Sequence, residues 1–152
     1  MAFDGGIDGV VEKIHQHLLQ MAGIAVNRGN VRSDLQQVIK NLLNNAIDAA
    51  IERHGASGGA IRIESAPSAE NRHVEIKVCD NGSGISAENL QKIFTPFFTT
   101  KPVGKGTGLG LSVCYGIIQK MNGDMAVASQ ENVGTTFTIR LPSMKGSTVQ
   151  DF

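Results

Sequence analysis

The sequence predicts an α+β fold, a two-layer sandwich with helices on one face of a mixed, mainly antiparallel sheet. Two patterns lead to this prediction. Residues 33–54 carry apolar side chains at helical spacing, whereas residues 60–65, 73–79, 125–129 and 135–141 alternate between apolar and polar as strands do. Amphipathic helices and half-buried strands bury their apolar sides against each other, which gives two layers around one core.

Composition excludes several classes of protein. The chain has 152 residues, enough for one domain, and its 14 basic side chains balance its 14 acidic ones. Without a basic face, nucleic-acid binding is not expected. No apolar run approaches the roughly 20 residues of a membrane span, and no secretory signal opens the chain. Cys79 and Cys114 lie far apart without metal-ligand spacing, so we expect no disulfide or zinc site and a cytoplasmic location.

The N-terminal third is predicted to be helical. Apolar residues recur at helical spacing from Ile7 to Met21, and Gly23–Asn30 resembles a short strand and turn. Ser33 is the predicted N-cap of a long helix that runs to about His54.

The middle of the chain predicts a hairpin and then a short helix. Strands Ala60–Ser65 and His73–Cys79 are joined by the polar turn Pro67–Asn71. Ser86 is the predicted cap of the short helix. The following segment, Phe94–Gly106, has no periodicity and contains two prolines, so we expect a loop.

The C-terminal third predicts a helix and a closing hairpin. Leu109–Met121 is apolar enough for a mostly buried helix, and Met125–Ser129 pairs with Thr135–Leu141 around a turn. We therefore divide the chain into a linker with a first helix and strand (residues 1–30), a core (31–142) and a flexible tail (143–152).

A polar group interrupts the long helix. Asn41, Asn45 and Asp48 are spaced i, i+4, i+7 and project from one side of the helix. Neutral amides next to apolar residues need partners for their polar atoms, and a carboxamide oxygen is a ligand that Mg²⁺ accepts beside phosphate oxygens. Hydrogen bonding between the amides themselves is the alternative.

Asp80 ends an apolar strand and is followed by Gly82 and Gly84. Glycines at this spacing let the backbone approach a planar ligand closely, and a carboxylate at a strand end can accept a charge-assisted hydrogen bond from an exocyclic amine such as that of adenine. An ordinary Asp-Gly turn is the alternative.

Four glycines recur at every second position from Gly104 to Gly110, directly before a helix. Backbone N–H groups in such a turn, followed by a helix N-terminus, make an anion site suited to phosphates. The segment is neither a Walker A loop nor a dinucleotide fingerprint, because it lacks the final Gly-Lys-Ser/Thr and the preceding strand. A flexible hinge is the alternative.

Five segments in order resemble the boxes of one family, the catalytic ATP-binding domain of sensor histidine kinases, within the wider class of gyrase-type ATPases, mismatch-repair clamps and a heat-shock chaperone. They are Asn41–Ala50 (N box), Asp80–Gly84 (G1), Phe94–Lys101 (F box), Gly106–Leu111 (G2) and Gly134–Phe137 (final glycine box). The F box separates histidine kinases from their ATPase relatives.

The resemblance implies a role for each matching position. Asn45 would coordinate Mg²⁺ that bridges the phosphates of ATP (or ADP), with Asn41 beside it; these two are the implied catalytic residues. Asp80 would bind the adenine amine, and Thr135 would reach adenine through water. The implied nucleotide-binding set is Asn41, Asn45, Asp48, Ala49, Asp80, Gly82, Gly84, Ile85, Phe98, Lys101, Lys105, Gly106, Thr107, Gly108, Leu109, Gly110, Leu111 and Thr135.

The family also implies a mobile ATP lid over about Phe94–Gly108. Lys101 and Lys105 lie in it and are either contacts of the terminal phosphate or solvated loop lysines. Phe97 and Phe98 would pack the base of the lid against the core, and exposure of either would indicate a docking surface for the phosphoacceptor hairpin.

Two positions depart from relatives of the class. Where ATP-hydrolysing members carry a Glu that activates water, this chain has Asn41, and an amide is a poor general base. Many members carry a basic residue at Asp48, so the role of this carboxylate stays open between helix surface and an outer metal shell.

The family's phosphoacceptor is a histidine in a separate dimerising hairpin. His15, His17, His54 and His73 lack its motif and are expected to be structural or surface residues. The resemblance therefore implies an excised kinase domain whose partners are that hairpin and a downstream response regulator. The implied location is the cytoplasm, either in a soluble sensor or in the cytoplasmic part of a membrane-anchored one. The rival readings are an anti-sigma-type serine kinase and a nucleotide-sensing interaction module.

Overall fold

A computed structural model of the chain describes residues 13, 16, 30–68 and 72–143. The predicted first helix and the strand and turn after it lie outside the described residues, apart from Lys13 and Gln16, which are helical, and Asn30. The domain boundaries proposed for residues 1–30 and 143–152 stay predictions.

Three helices and four strands make up the described part of the chain. In chain order they are α1 (Val31–His54), β1 (Ile61–Pro67), β2 (His73–Asp80), α2 (Ala87–Leu90), α3 (Gly110–Lys120), β3 (Asp124–Gln130) and β4 (Gly134–Pro142). The strands form one sheet in the order β1-β2-β4-β3, and each described pairing is antiparallel. The predicted α+β class is confirmed.

The core lies between α1 and one face of the sheet. Val38, Ile39 and Leu42 of α1 are fully buried, since positions three and four apart fall on one side of a helix. They contribute to the same core as the inward-facing strand residues, which are Val74, Ile76 and Val78 of β2 and Phe137, Ile139 and Leu141 of β4.

The N-terminus of α1 differs from the prediction. The helix begins at Val31 with Asn30 in the N-cap position, and Ser33 lies inside the first turn, where its hydroxyl donates to the carbonyl of Asn30 at 2.9 Å. The predicted Ser33 cap is wrong because serine in the first turn bonds backward as readily as it caps. At the other end, Gly55 adopts a positive φ of 66°, which stops the helix.

The second face of the sheet carries charges. Glu75 on β2 lies opposite Arg140 on β4, and the guanidinium donates to the carboxylate at 2.8 Å. This hydrogen bond holds the pKa of Glu75 below its usual value. A polar outer face agrees with a sheet covered on one side, as the two-layer prediction requires.

Helix α3 is less buried than predicted. Cys114 and Ile118 are fully buried, but 47% of Val113 and 38% of Tyr115 are exposed. Apolar residues occur on more sides of α3 than the one side that packs on the core. The prediction of a mostly buried helix is therefore wrong. The short helix capped by Ser86 and the closing hairpin of β3 and β4 are confirmed.

Truncating one core side chain of α1 should destabilise the whole fold. Ile39 is fully buried, so Ile39→Ala should lower the free energy of unfolding by about 2–5 kcal/mol through lost burial and a cavity. The matched control is Ile51→Ala on the same helix, where 57% of the residue is exposed and the expected cost is about 0.5 kcal/mol. Urea unfolding followed by circular dichroism measures both, and equal losses would contradict the assigned core.

Candidate functional site

Three polar side chains form a row across neighbouring strands of the sheet. The register places Asp80 of β2 opposite Thr135 of β4, and Thr135 opposite Ser129 of β3. Residues directly opposite each other in antiparallel strands share a face. The three residues lie at one end of the strands, on the same face of the sheet as the core residues. We call this row the floor.

A close backbone contact fixes the row. Gly134 has a φ of 147°, and a side chain there would collide with the carbonyl oxygen of Asp80. Only glycine combines this conformation with that approach. The strand that carries Thr135 is thereby held directly against the end of β2.

Asp80 is half-buried, and its carboxylate accepts a hydrogen bond from the backbone N–H of Gly82 at 2.8 Å. Burial raises the pKa of Asp80 above its ordinary value of 3.8, while hydrogen bonds from the backbone N–H groups of Gly82 and Thr135 oppose the rise. The carboxylate therefore keeps acceptor capacity for a further donor in the space above it.

Ser129 connects the floor to the loop after β2. Its hydroxyl oxygen lies 2.8 Å from the backbone nitrogen of Ile85, 3.0 Å from the carbonyl oxygen of Gly134 and 2.8 Å from the hydroxyl of Thr135. Sequence analysis missed Ser129, because a serine in an alternating strand gives no signal of its own.

The second half of α1 forms one wall above this floor. Asn45, Asp48 and Ala49 all line the space, and the backbone of Gly82 packs against Ala49, where a Cβ on the glycine would lie 2.5 Å from the Ala49 carbonyl carbon. The amide of Asn45 makes no hydrogen bond to any residue in the described part of the chain, although Asn45 is half-buried. A half-buried amide without a protein partner is poised for a ligand.

The loop between α2 and α3 forms the opposite wall, and its base is closed by backbone contacts. The N–H of Phe97 donates to the carbonyl of Gly108 at 2.9 Å, and both residues have positive φ. Phe98 packs on the core, whereas 76% of Phe97 is exposed. We call residues 97–108 the lid.

One ion pair joins the lid to α1. The ammonium of Lys101 lies 2.6 Å from the carboxylate of Asp48, and both side chains are partly exposed. Asp48 therefore has a protein partner, which the sequence did not predict. Lys105 also lines the space but has no ion pair among the described residues.

Floor, helix and lid enclose a cleft of about 1050 Å³. It is large enough for a nucleotide, since typical ligand pockets measure about 300–1,000 Å³. Most of the predicted residues line it: Asn45, Asp48, Ala49, Asp80, Gly84, Ile85, Phe98, Lys101, Lys105, Gly106, Thr107, Gly108, Gly110, Leu111 and Thr135. Their individual roles stay predictions.

Asn41, Gly82 and Leu109 are not among the residues that line the cleft. Gly82 contributes through its backbone N–H, which donates to the carboxylate of Asp80. The amide of Asn41 is already engaged, because its nitrogen donates to the sulfur of Cys114 at 3.4 Å and its oxygen accepts from Gln37 at 3.2 Å. Asn41 thus links α1 to α3, and its role beside Asn45 stays a prediction.

A guanidinium clamp holds the two loops at the end of the floor. Arg53 donates to the carbonyls of Asn81 at 2.8 Å, Gly82 at 3.4 Å and Val133 at 2.9 Å. The Asn81 carbonyl also accepts from His54 at 2.8 Å, so Nε2 of that ring carries the proton. Arg53 thereby joins the loop after β2 to the turn before β4, which supply Asp80 and Thr135.

The described residues hold no group of three or more His, Cys, Asp or Glu side chains arranged to bind a metal ion. Among the described helices, none combines the length and apolar character that a membrane crossing requires.

A family model described as the histidine kinase-, DNA gyrase B- and HSP90-like ATPase matches residues 30–145. The chain belongs to this family. The match covers α1, the whole sheet and the lid, which are the elements that surround the cleft.

Curated relatives of this ATPase domain are sensor kinases. The chain is 42% identical over 146 residues to the two-component sensor PprA of Pseudomonas aeruginosa and 47% identical over 108 residues to the sensor histidine kinase ZraS of Escherichia coli K12. These matches cover 93% and 71% of this chain but 16% and 21% of the relatives. The chain thus spans about a sixth to a fifth of the length of these sensors.

Solved structures agree with the fold. The catalytic domain of histidine kinase ThkA, in a nucleotide-free form, is 31% identical with a TM-score of 0.63, covering 90% of this chain and 91% of its own. A mycobacterial sensor histidine kinase, MprB, has a TM-score of 0.67 at 20% identity, covering 90% of this chain and 95% of its own, and supports the fold alone.

Acidification should weaken ATP binding to this histidine kinase-type domain through Asp80. Because its pKa is raised, Asp80 takes up a proton at a higher pH than an exposed aspartate and then loses acceptor capacity. A raised pKa means that the native state binds this proton more tightly than the unfolded state does. Protonation of Asp80 therefore stabilises the native state at low pH, and this stabilisation is lost as the pH rises through the raised pKa. Weaker ATP binding in acid would thus not be caused by unfolding through Asp80.

Calorimetric titration at a series of pH values checks this effect. Asp80→Asn should bind ATP about 10- to 100-fold more weakly at neutral pH and lose the part of the pH dependence that Asp80 causes. The variant is its own control for titration of the ATP phosphates, which both proteins share. Parallel pH profiles in the two proteins would contradict the assignment.

Removal of the guanidinium clamp should also weaken nucleotide binding. Arg53→Ala deletes three hydrogen bonds to loop carbonyls, and we expect about a tenfold loss of ATP affinity as the floor loses its alignment. The matched control is Arg62→Ala, whose guanidinium pairs with Glu64. Fluorescence titration with a labelled ATP analogue measures both variants, and equal affinities would rule out a positioning role for Arg53.

Proposed function

We propose that this chain is the catalytic domain of a sensor histidine kinase that binds Mg·ATP in the cleft and transfers the γ-phosphoryl group to a histidine on a separate phosphoacceptor hairpin. The observation that carries the proposal is the convergence of three elements on one cleft. Three groups line the same space: the amide of Asn45, which has no hydrogen bond to the described residues, the carboxylate of Asp80 and the glycine-rich segment of the lid.

The floor suits the base of ATP. Asp80 can accept a hydrogen bond from the exocyclic amine of adenine, while Gly84 and Ile85 line the cleft beside it. Guanine presents a carbonyl oxygen at the corresponding position, which would face a carboxylate. We therefore expect adenine nucleotides to be preferred over guanine nucleotides.

The glycine-rich segment suits the phosphates. Gly106, Thr107, Gly108 and Gly110 line the cleft directly before and at the start of α3, where unsatisfied backbone N–H groups favour anions. Lys105 adds a positive charge that has no partner carboxylate among the described ion pairs. Lys101 would contact a phosphate only after leaving Asp48.

The site fits Mg²⁺ held mainly by the nucleotide. The half-buried Asn45 amide offers one neutral oxygen, and Mg²⁺ in kinase sites takes a few protein ligands beside phosphate oxygens and water. When bound, the ion neutralises charge on the phosphates and orients them. Asp48, one helical turn from Asn45, is the nearest acidic candidate for an outer contact.

The transfer itself asks little of this chain beyond positioning. An imidazole nitrogen of the incoming histidine forms a bond to the γ-phosphorus, the bond from that phosphorus to the β,γ-bridging oxygen breaks, and ADP leaves with the electron pair. The imidazole proton passes to solvent. Lid amides and the floor hold the nucleotide in line for this displacement.

Water should compete poorly with the histidine. Asn41 stands where ATP-hydrolysing relatives of the class carry a glutamate, and its amide is bonded to Cys114 and Gln37. Among the described residues, four carboxylates line the cleft. Asp48 is ion-paired with Lys101, Glu52 accepts from the Ser83 hydroxyl at 2.7 Å, Asp80 accepts from the backbone N–H of Gly82, and Glu131 lies on the turn between β3 and β4. General-base assistance is typically worth about 10²- to 10⁴-fold, so its loss keeps hydrolysis slow.

The proposed partners are the histidine-containing hairpin of the same protein and a downstream response regulator. The exposed ring of Phe97 at the base of the lid supports docking of the hairpin there, because burial of a large apolar side chain by a partner lowers the free energy of the complex. His54 is bonded to a backbone carbonyl, which argues against its being the acceptor.

Incubation with γ-labelled ATP and Mg²⁺ tests the proposal. The chain alone should bind ATP without forming phosphohistidine and should release phosphate slowly. Addition of the histidine-containing hairpin of its full-length protein should give labelled hairpin, though at a reduced rate because the covalent connection is absent.

Two variants sharpen the experiment. Asn45→Ala should abolish Mg²⁺-dependent binding and transfer, whereas Lys77→Ala on the outer face of the sheet should leave both intact. Label on the isolated chain would favour a self-contained kinase, and ATP binding with no transfer to the hairpin would favour a nucleotide-sensing module.

A further inference from the structure

We propose that Ser129 sets the base specificity of the cleft by fixing the direction of the Thr135 hydroxyl proton, so that the floor presents hydrogen-bond acceptors alone to a 6-aminopurine. Ser129 would act through Thr135 and is a positioning residue. The inference rests on the proposed ATP-binding function and deepens it by naming what rejects a 6-oxopurine.

The side chain of Ser129 lies among three hydrogen-bonding groups. Its hydroxyl has one proton and two lone pairs, and three groups lie within hydrogen-bond distance. The backbone N–H of Ile85 can only donate, so it takes one lone pair. The carbonyl of Gly134 can only accept, so it takes the proton.

One lone pair of Ser129 then remains for the third neighbour. Thr135 must therefore donate its own proton to Ser129 across the 2.8 Å that separates the two hydroxyl oxygens. Any other arrangement of the two protons leaves one of the three close contacts without a hydrogen bond. Because Thr135 is buried, an unmade bond there is costly.

The consequence lies in the cleft. With its proton committed to Ser129, the Thr135 oxygen can only accept a hydrogen bond, and its neighbour Asp80 carries a carboxylate, also an acceptor. Both residues line the cleft. An exocyclic amine has two N–H donors that suit such a pair in direct contact, whereas a 6-oxo oxygen in the same place would face two acceptors and receive no hydrogen bond from them.

Replacement of Ser129 should relax this selection. In Ser129→Ala the Thr135 proton loses its acceptor and is free to turn toward the cleft, where it can donate to a 6-oxo group. The preference for ATP over inosine triphosphate, which has an oxo group at position 6 and a proton on N1, should therefore fall by about tenfold.

The experiment measures dissociation constants of ATP, inosine triphosphate and purine riboside triphosphate, which has hydrogen at the 6 position, for the wild-type chain and its variants. Wild type should bind inosine triphosphate more weakly than purine riboside triphosphate, because the oxo group is repelled. Ser129→Ala should narrow that gap.

Matched variants separate the hydroxyl from packing. Ser129→Thr keeps a hydroxyl and should retain the wild-type preference, whereas Ser129→Val has the shape of threonine without the hydroxyl and should lose it. Ser68→Ala removes a serine hydroxyl that accepts a hydrogen bond from the backbone N–H of His73 on the β1–β2 turn. This variant should leave the dissociation constants of all three nucleotides unchanged.

Each outcome decides the inference. A loss of preference in Ser129→Ala and Ser129→Val, with retention in Ser129→Thr, supports it. Equal weakening of all three nucleotides in every Ser129 variant, or a wild type that does not discriminate between ATP and inosine triphosphate, overturns it while ATP binding stands. A wild type that binds none of the three overturns the proposed function as well.

Discussion

The register between β2 and β4 is the constraint on which the cleft depends. Asp80 and Thr135 are neighbours because these two central strands pair residue for residue over their whole length, and Gly134 allows β4 to begin against the last residue of β2. A slip of one residue would turn Thr135 to the charged outer face and Phe137 out of the core. The hydrophobic core therefore specifies the polar floor, since both depend on the same register.

Helix α1 couples this sheet to the rest of the site. Its first half is anchored by buried residues such as Val38 and Leu42, and its second half carries Asn45 into the cleft and Arg53 onto the loop carbonyls. A rigid helix transmits its packing to both groups, so the distance between wall and floor is set by core contacts. The lid instead touches α1 through the partly exposed Lys101–Asp48 pair, which contributes little to stability in water.

Local patterns in the sequence were sufficient for most of the elements in the described part of the chain, and they singled out Asn45 and Asp80, which line the cleft. The alternation of residues 73–79 and the helical spacing of residues 33–54 predicted β2 and α1, and Asp80 and Asn45 stood out because polar residues interrupt apolar patterns there. The contributions of Arg53 and Ser129 escaped notice. Both side chains bond to backbone carbonyls or N–H groups of segments that are distant in sequence. Every residue offers such backbone groups, so the residue types in those segments do not reveal the contact.

The errors have physical causes of the same kind. Both Ser33 and Asn30 are good capping residues, and local chemistry does not choose between them. The exposure of α3 depends on how much of its surface the core can cover. The role that the resemblance gives Asn41 beside Asn45 stays a prediction, but the contact of its amide with Cys114 could not be foreseen, because it joins residues 73 positions apart in sequence. Tertiary contacts decided each case.

The closed base of the lid bears on how the loop can change in evolution. Phe97 and Gly108 join the two ends of the loop through their backbones, and neither contact depends on the residues between them. The entropic cost of a longer loop then rises slowly, by only about 0.6 kcal/mol for each doubling of its length. Insertions at Val103 and Gly104, which are exposed and do not line the cleft, would leave the strand pairing, the core and the glycine-rich segment undisturbed. The loop can therefore lengthen at its tip without loss of the groups that face the cleft.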